Sequence, residues 1–184
     1  IGGHWGLAPK FQPLVAANKV EGYNIPQGCV THMIRAAAGK KPFIVTHVGL
    51  GTFFDPEHGG GKLNEVTTED LITKITFEGK EYLQYKSIFP NVAILKGTFA
   101  DELGNITMEK EPLTLEGISI ATATRNNGGI VIVQVEGKVK SGTINPKNVV
   151  IPGIMVDYIV VVQDMKNHMQ TFATQYNEAF VRSD

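Results

Sequence analysis

Leu115-Glu116-Gly117-Ile118-Ser119-Ile120-Ala121-Thr122-Ala123-Thr124, then Asn126-Asn127-Gly128-Gly129, then Ile130-Val131-Ile132-Val133-Gln134-Val135 form a helix-like stretch, a break and a strand in direct succession. Leu115, Ile118 and Ala121 recur at helical spacing and are expected to pack inward. Asn and Gly tolerate positive φ, so 126–129 end the helix. Gly129 to Val135 is the strongest strand in the chain, dense in β-branched residues. Working outward, Asn91 to Gly97 is a nearly continuous apolar run, as expected of a strand buried on both faces. Pro152 to Val162 is extended, with Pro152 keeping its start at an edge. Thr107 to Lys110 reads as a short strand. From Lys166 onward the tail is polar and aromatic, and it wraps over the surface or leads into a linker.

The upstream half alternates in the same way. Phe11, Leu14, Val15 and Ala17 give 9–19 near-helical spacing, with Pro9 suited to a first turn. Glu21 to Ile25 reads as a short strand. Gln27 and Gly28 open a second helix, in which Cys29, His32, Met33 and Ala36 share one face and Gly39 marks the end. Phe43 to Thr46 is a strand. Ile72–Phe77 and Glu81–Lys86 flank Glu78-Gly79-Lys80, a hairpin signature. Alternation of this kind argues for an α/β fold.

At 184 residues the chain is long enough for one ordinary domain with a proper core, and 42% hydrophobic residues suit a globular α/β protein. A net charge of -1 argues against nucleic acid or an anionic membrane as partner. The lone Cys29 forms no internal disulfide, which suggests a reducing, cytoplasmic compartment. No apolar stretch approaches a bilayer span and no secretory signal is visible. The opening Ile1-Gly2-Gly3 resembles the new terminus of an activated trypsin-like protease, but no serine-nucleophile loop accompanies it. A piece of a longer enzyme is the better expectation.

Chemistry concentrates in loops rich in Gly, which let backbone come close to a ligand. Gln27 stands between Pro26 and Gly28 where a strand gives way to a helix. That is where open α/β sheets bind ligands, and a helix N-terminus there favours an anion. A neutral amide donates to a carboxylate without the cost of burying an ammonium. The plainer reading of Gln27 is a turn residue. Gly49 to Lys62 contains Gly51 and Gly59-Gly60-Gly61-Lys62, but Pro56 and Leu63 break the phosphate-loop pattern, and contact of Lys62 with a phosphate stays open. Phe53, Phe54 and Pro56 argue that part of this loop packs. His4 and Trp5 lie between glycines, as a packed cluster or a cleft lining. His47, Asp55, His58 and His4 match no compact zinc spacing, and no metal is assigned. Cys29 with His32 could be a nucleophile pair, but Cys29 falls on the apolar stripe and reads better as a small buried hydrophobe. Asp101, Gly104 and Asn105 read as a turn.

Taken in order, Gly3-His4-Trp5-Gly6, Asn24-Ile25-Pro26-Gln27-Gly28, the 49–62 loop and Ala100-Asp101-Glu102-Leu103-Gly104-Asn105-Ile106 resemble the amino-terminal (alpha) half of acyl-CoA:carboxylate CoA-transferases of the acetate/propionate type. Val133-Gln134-Val135-Glu136, Val150-Ile151-Pro152-Gly153-Ile154-Met155-Val156-Asp157-Tyr158 and Gln170-Thr171-Phe172 extend the match. The resemblance implies an open, mostly parallel sheet flanked by helices, with a small hairpin excursion, in a single alpha-type domain over 1–184. It implies CoA exchange between an acyl-CoA and a short-chain carboxylate through a glutamyl-CoA intermediate, with coenzyme A as a substrate and no permanently bound cofactor. Gln27, Gly28, His4, Trp5, Gly51, Gly59, Gly60 and Gly61 then line the substrate cleft. The nucleophilic Glu is expected beyond Asp184 and a Gly-rich segment before Ile1, so no residue here is assigned as catalytic and the chain alone is expected to be inactive. Expected partners are the substrates, the remaining half of the enzyme and further copies in a homo-oligomer. Two other readings stand beside this one. One is a non-catalytic ligand-binding or scaffold domain reusing the fold. The other is a sugar-phosphate enzyme, which Arg35 and Arg125, placed on helices, do little to support.

Overall fold

The computed structural model describes residues 1–182. Their contacts fall into two compact units, Ile1–Ile88 and the residues from Phe89 onward. The first unit holds α1 (Gln12–Ala16), α2 (Gln27–Ala38) and the strands β1 (Phe43–Thr46), β2 (Ile72–Phe77) and β3 (Lys80–Lys86). The strands form an antiparallel sheet in the order β1-β3-β2. The hairpin is as expected: Phe77 pairs with Lys80 across Glu78 and Gly79, both at positive φ, as a two-residue loop matched to the twist of its strands requires. The core of this unit gathers Tyr23, Ile25, Cys29, Met33, Ile72, Leu83 and Tyr85, so the apolar stripe of α2 packs on the sheet. The stretch 21–25 is not a strand of a sheet. It makes isolated bridges instead, Gly2 to Asn24 in parallel and Tyr23 to Lys62 in antiparallel sense.

The second unit carries β4 (Val92–Lys96), β5 (Phe99–Asp101), β6 (Ile106–Thr107), α3 (Gly117–Asn126), β7 (Ile130–Val135), β8 (Gly137–Val139), β9 (Val149–Ile151) and β10 (Tyr158–Val161). β10, β7 and β4 form a parallel sheet, and β8-β5-β6-β9 a small mixed one. The α/β class is therefore observed, with its parallel sheet built on the strand that opened the sequence reading. One face of that sheet, with Ala93, Val131, Val133 and Val135, packs with Ala121 of α3 and Ile151 of β9.

Two expectations are corrected here. β4 is not buried on both faces: Ile94 is 79% exposed, because α3 and β9 cover only the opposite face. Leu115 does not pack inward either. The helix begins after it, Leu115 has a positive φ and stays exposed, and Ile118 is also on the outside. The thin strands β5, β8 and β9 lie outside the expected strands, and the short strand expected over 107–110 is instead β6, which ends at Thr107.

Beyond Val162 the tail folds back on the second unit. Gln170 Nε2 donates to the Lys110 carbonyl at 2.7 Å, and Lys96 Nζ donates to the Met169 carbonyl at 2.7 Å. Gln134 Nε2 spends its protons on the Asn167 carbonyl and on His168 Nδ1, both at 2.9 Å. The ring proton of His168 therefore sits on Nε2. That atom is buried without a hydrogen-bond partner among the described residues, and the Glu111 carboxylate lies 3.8 Å away.

Candidate functional site

The sequence-predicted residues all fall in the first unit, and local bonding sorts them. Gly2 and Gly3 run alongside 23–25: Gly2 N–H donates to the Tyr23 carbonyl, and Ile25 N–H donates to the Gly2 carbonyl. This lays Gly3 against Gln27, so closely that a Cβ on Gly3 would stand 2.6 Å from Gln27 Oε1. Gln27 and Gly28 form the exposed first turn of α2. Pro26, at the cap position, offers no side-chain acceptor there, so the first N–H groups of the helix open outward. No Cβ-blocking atom lies within 4 Å of Gly28. An amide side chain and a helix end thus present neutral donors side by side, an arrangement suited to a carboxylate or a carbonyl oxygen.

His4 is exposed near this turn, with its imidazole over Gly6. Trp5 is tied down: it stacks on Phe11 with ring centroids 5.1 Å apart, and its Nε1–H donates to the Tyr23 carbonyl at 3.2 Å. It braces the segment that carries Gly3.

The 49–62 loop is ordered by one carboxylate that sequence reasoning missed. Asp55 is buried, accepts from Gly51 N–H at 2.9 Å and Glu57 N–H at 3.2 Å, and pairs with Lys74 Nζ of β2 at 3.1 Å. The Gly51 bond, with Glu57 and Lys74 adding to it, holds the Asp55 carboxyl below the usual aspartate range against the cost of burial. Asp55-Pro56-Glu57 is a readable turn signal, but Lys74 lies too far along the chain to be paired with it by inspection. The glycines of this loop bond inward as well. Gly59, Gly60 and Gly61 donate to the carbonyls of Pro56, Asp55 and Phe53, and Gly61 presses on Asn24, where a Cβ would meet the carbonyl oxygen at 2.4 Å. They shape the loop and its approach to 23–24. Lys62 is engaged by Asp70 at 2.6 Å and by the Thr68 carbonyl.

Cys29 is buried, and burial raises its thiol pKa, with Tyr85 as its hydrogen-bond partner. That is the small-hydrophobe reading, not an activated thiolate. Among the described residues no three His, Cys, Asp or Glu side chains cluster as a metal site, and no helix is long and apolar enough to cross a membrane. Asp101 closes its own turn, accepting from the N–H groups of Leu103 and Asn105.

Between the start of α2 and β1 runs a groove of ≈ 350 Å³, with Pro26, Gly28, His32, Val45, Thr46 and Val48 in its walls. It opens beside the Gln27–Gly28 turn.

Comparison with known proteins gives this arrangement a lineage. The chain is 49% identical over 162 residues to the acetate CoA-transferase YdiF of Escherichia coli K12, covering 88% of this chain and 30% of that protein. It is 50% identical over 177 residues to caffeate CoA-transferase of Acetobacterium woodii, covering 96% of this chain and 34% of that protein. The solved thioester complex of the acyl-CoA transferase YdiF from E. coli O157:H7 with CoA matches at a TM-score of 0.92 and 44% identity, over 99% of this chain and 35% of that one. The chain thus spans about a third of the length of these relatives. A family model described as coenzyme A transferase matches residues 1–162, and the chain belongs to that family.

Proposed function

We propose that this chain forms the substrate-cleft wall of an enzyme that moves CoA between an acyl-CoA and a short-chain carboxylate of the acetate or propionate type. The two units are read as parts of one alpha-type domain. In the proposed reaction a glutamate carboxylate, from polypeptide outside these residues, attacks the thioester carbonyl and expels CoA as thiolate. The mixed anhydride is then opened by that thiolate at the glutamyl carbonyl, which releases the first carboxylate and leaves glutamyl-CoA. The second carboxylate reverses both steps and departs as the new acyl-CoA.

The part assigned to this chain is to hold oxygen. Each attack places negative charge on a carbonyl oxygen, and each exchange binds a free carboxylate. The Gln27 amide and the opening N–H groups of α2 donate to such oxygens without bringing in a cation that would pair with the glutamate nucleophile. The observation that supports this most is the exposed Gln27 at an α2 end whose cap residue makes no side-chain hydrogen bond. The remainder of the enzyme is the proposed partner, with assembly as a homo-oligomer in the cytoplasm.

The test uses the complete gene product that carries this segment, assayed with propionyl-CoA and acetate. The expected outcome is CoA transfer, with Gln27→Ala lowering kcat/KM by roughly 10- to 1,000-fold. The 184-residue chain alone should give no turnover and no covalent CoA adduct by mass spectrometry. An adduct on this chain would overturn the assignment of the nucleophile elsewhere, and a complete protein without transfer would overturn the function.

A further inference from the structure

The groove beside Gly28 differs in character from the polar turn at its mouth. Pro26, Ile44, Val45 and Val48 give it apolar walls, and Cys29 its floor. The Cys29 thiol stays protonated and neutral through its burial. Thr46 adds one polar group to the wall, its Oγ1 accepting from Val48 N–H at 3.2 Å. His32 stands one helical turn beyond Gly28 on the same face of α2.

The walls are also fixed in place. Ile44 is in register with Tyr85 on β3, and the Tyr85 hydroxyl donates to the Val48 carbonyl at 2.7 Å. One buried phenol thus holds both the strand wall and the residue that caps it. These ties set the spacing between the walls.

Size then decides what fits. An apolar cavity of about 150 Å³ suffices for a benzene ring. The groove, at ≈ 350 Å³, leaves an acetyl group mostly unsupported. An apolar tail of about six carbons, or an aryl ring on a short linker, fills it far better.

We infer that this groove receives the acyl tail of the donor thioester and that Val45 and Val48 set the length it accepts. The inference rests on the reading of Gln27 and Gly28 as the site that holds the carbonyl end. With the carbonyl oxygen at the α2 turn, the tail extends along β1 between Val45 and His32, and the CoA side of the thioester is left pointing away from the groove. The transfer chemistry is unchanged; because the second carboxylate reverses the same steps, the groove meets its tail as well, and the donor series reads out the length it accepts.

The complete enzyme is assayed with acetate as acceptor and acetyl-CoA, butyryl-CoA and hexanoyl-CoA as donors, the acetyl reaction being followed with labelled acetate. The quantity read is the ratio of kcat/KM for hexanoyl to acetyl donor. One methylene more or less in an apolar pocket changes such a ratio by roughly tenfold or more. Val45→Phe, which fills the groove, should lower the ratio at least about tenfold. Val48→Ala, which widens it, should raise the ratio several-fold. Both side chains are more than 40% exposed, so neither change hollows the core. Should Val45→Phe fail to fold, the widening variant alone decides. Transfer with an unchanged ratio in the folded variants overturns the groove assignment and leaves the proposed function standing. Absence of transfer from every donor in the unaltered enzyme removes both.

Discussion

At the scale of single residues, the proposed site depends on what stands behind it. Gly3 matters because its missing Cβ leaves room for the Gln27 side chain. Gly3→Ala should therefore push Gln27 aside and lower kcat/KM of the complete enzyme by about tenfold or more, with little change in its melting temperature. Kinetics beside a thermal melt check this, and a normal kcat/KM would show that Gln27 is not positioned by this contact. Asp55 makes the complementary case. Its carboxyl is held below the ordinary value of 3.8, so the unfolded chain takes up its proton first as pH falls. The stabilisation is fully present above that value and is lost as pH drops through the lower folded one. Asp55→Asn should loosen the 49–62 loop at neutral pH, read as faster amide exchange at Gly51 and Glu57, and should flatten the acid limb of the stability curve. The start of α2 at Gln27 was legible from Pro-Gln-Gly, although the strand expected before it forms only isolated bridges. The grip of Asp55 was only half legible, because its cation arrives on a distant strand.

At the scale of elements, periodicity carried most of the information. α2, β1, the hairpin and β7 stand where their apolar spacing puts them, since each buries a full stripe or alternates in and out. β5, β8 and β9 are three residues each and β6 is two, too short for any period to register. The start of α3 was misread because Leu115 fits the helical spacing, yet its backbone turns left-handed and the helix starts at Gly117. The tail makes a prediction of its own. Burial lowers the pKa of His168, helped by the nearby Lys96 cation and opposed by Glu111, Glu136 and the Gly97 backbone. A released tail binds the proton near the ordinary imidazole value of 6.5, while the docked tail resists it until lower pH. Docking is therefore at full strength above that value and weakens as pH falls below it. Amide protection over 165–177 should drop between pH 7.5 and 5.5 by hydrogen exchange. His168→Gln should remove that pH dependence, and a pH-independent wild-type tail would contradict the assignment.

At the scale of the whole molecule, the feature no local pattern discloses is a bare sheet face. Val92, Ile94, Ile130, Tyr158 and Val160 lie on one side of β4, β7 and β10, from 43% to 79% exposed. Sequence shows that these strands are apolar, but not how many of their faces receive cover, because that depends on where the connecting segments pass. Parallel sheets of this composition are ordinarily covered on both sides. The 184-residue chain in isolation should bind an apolar dye such as ANS and self-associate with concentration. Ile94→Lys with Tyr158→Lys should suppress both, measured by fluorescence and sedimentation, and a dye-silent monomer would refute the exposure. The imidazole of His168 offers a means of watching the tail. Its ring proton, buried and fixed in one tautomer by Gln134, should exchange with water slowly enough to give its own NMR resonance. The appearance and loss of that one signal would report when the tail of the second unit is latched and when it has let go.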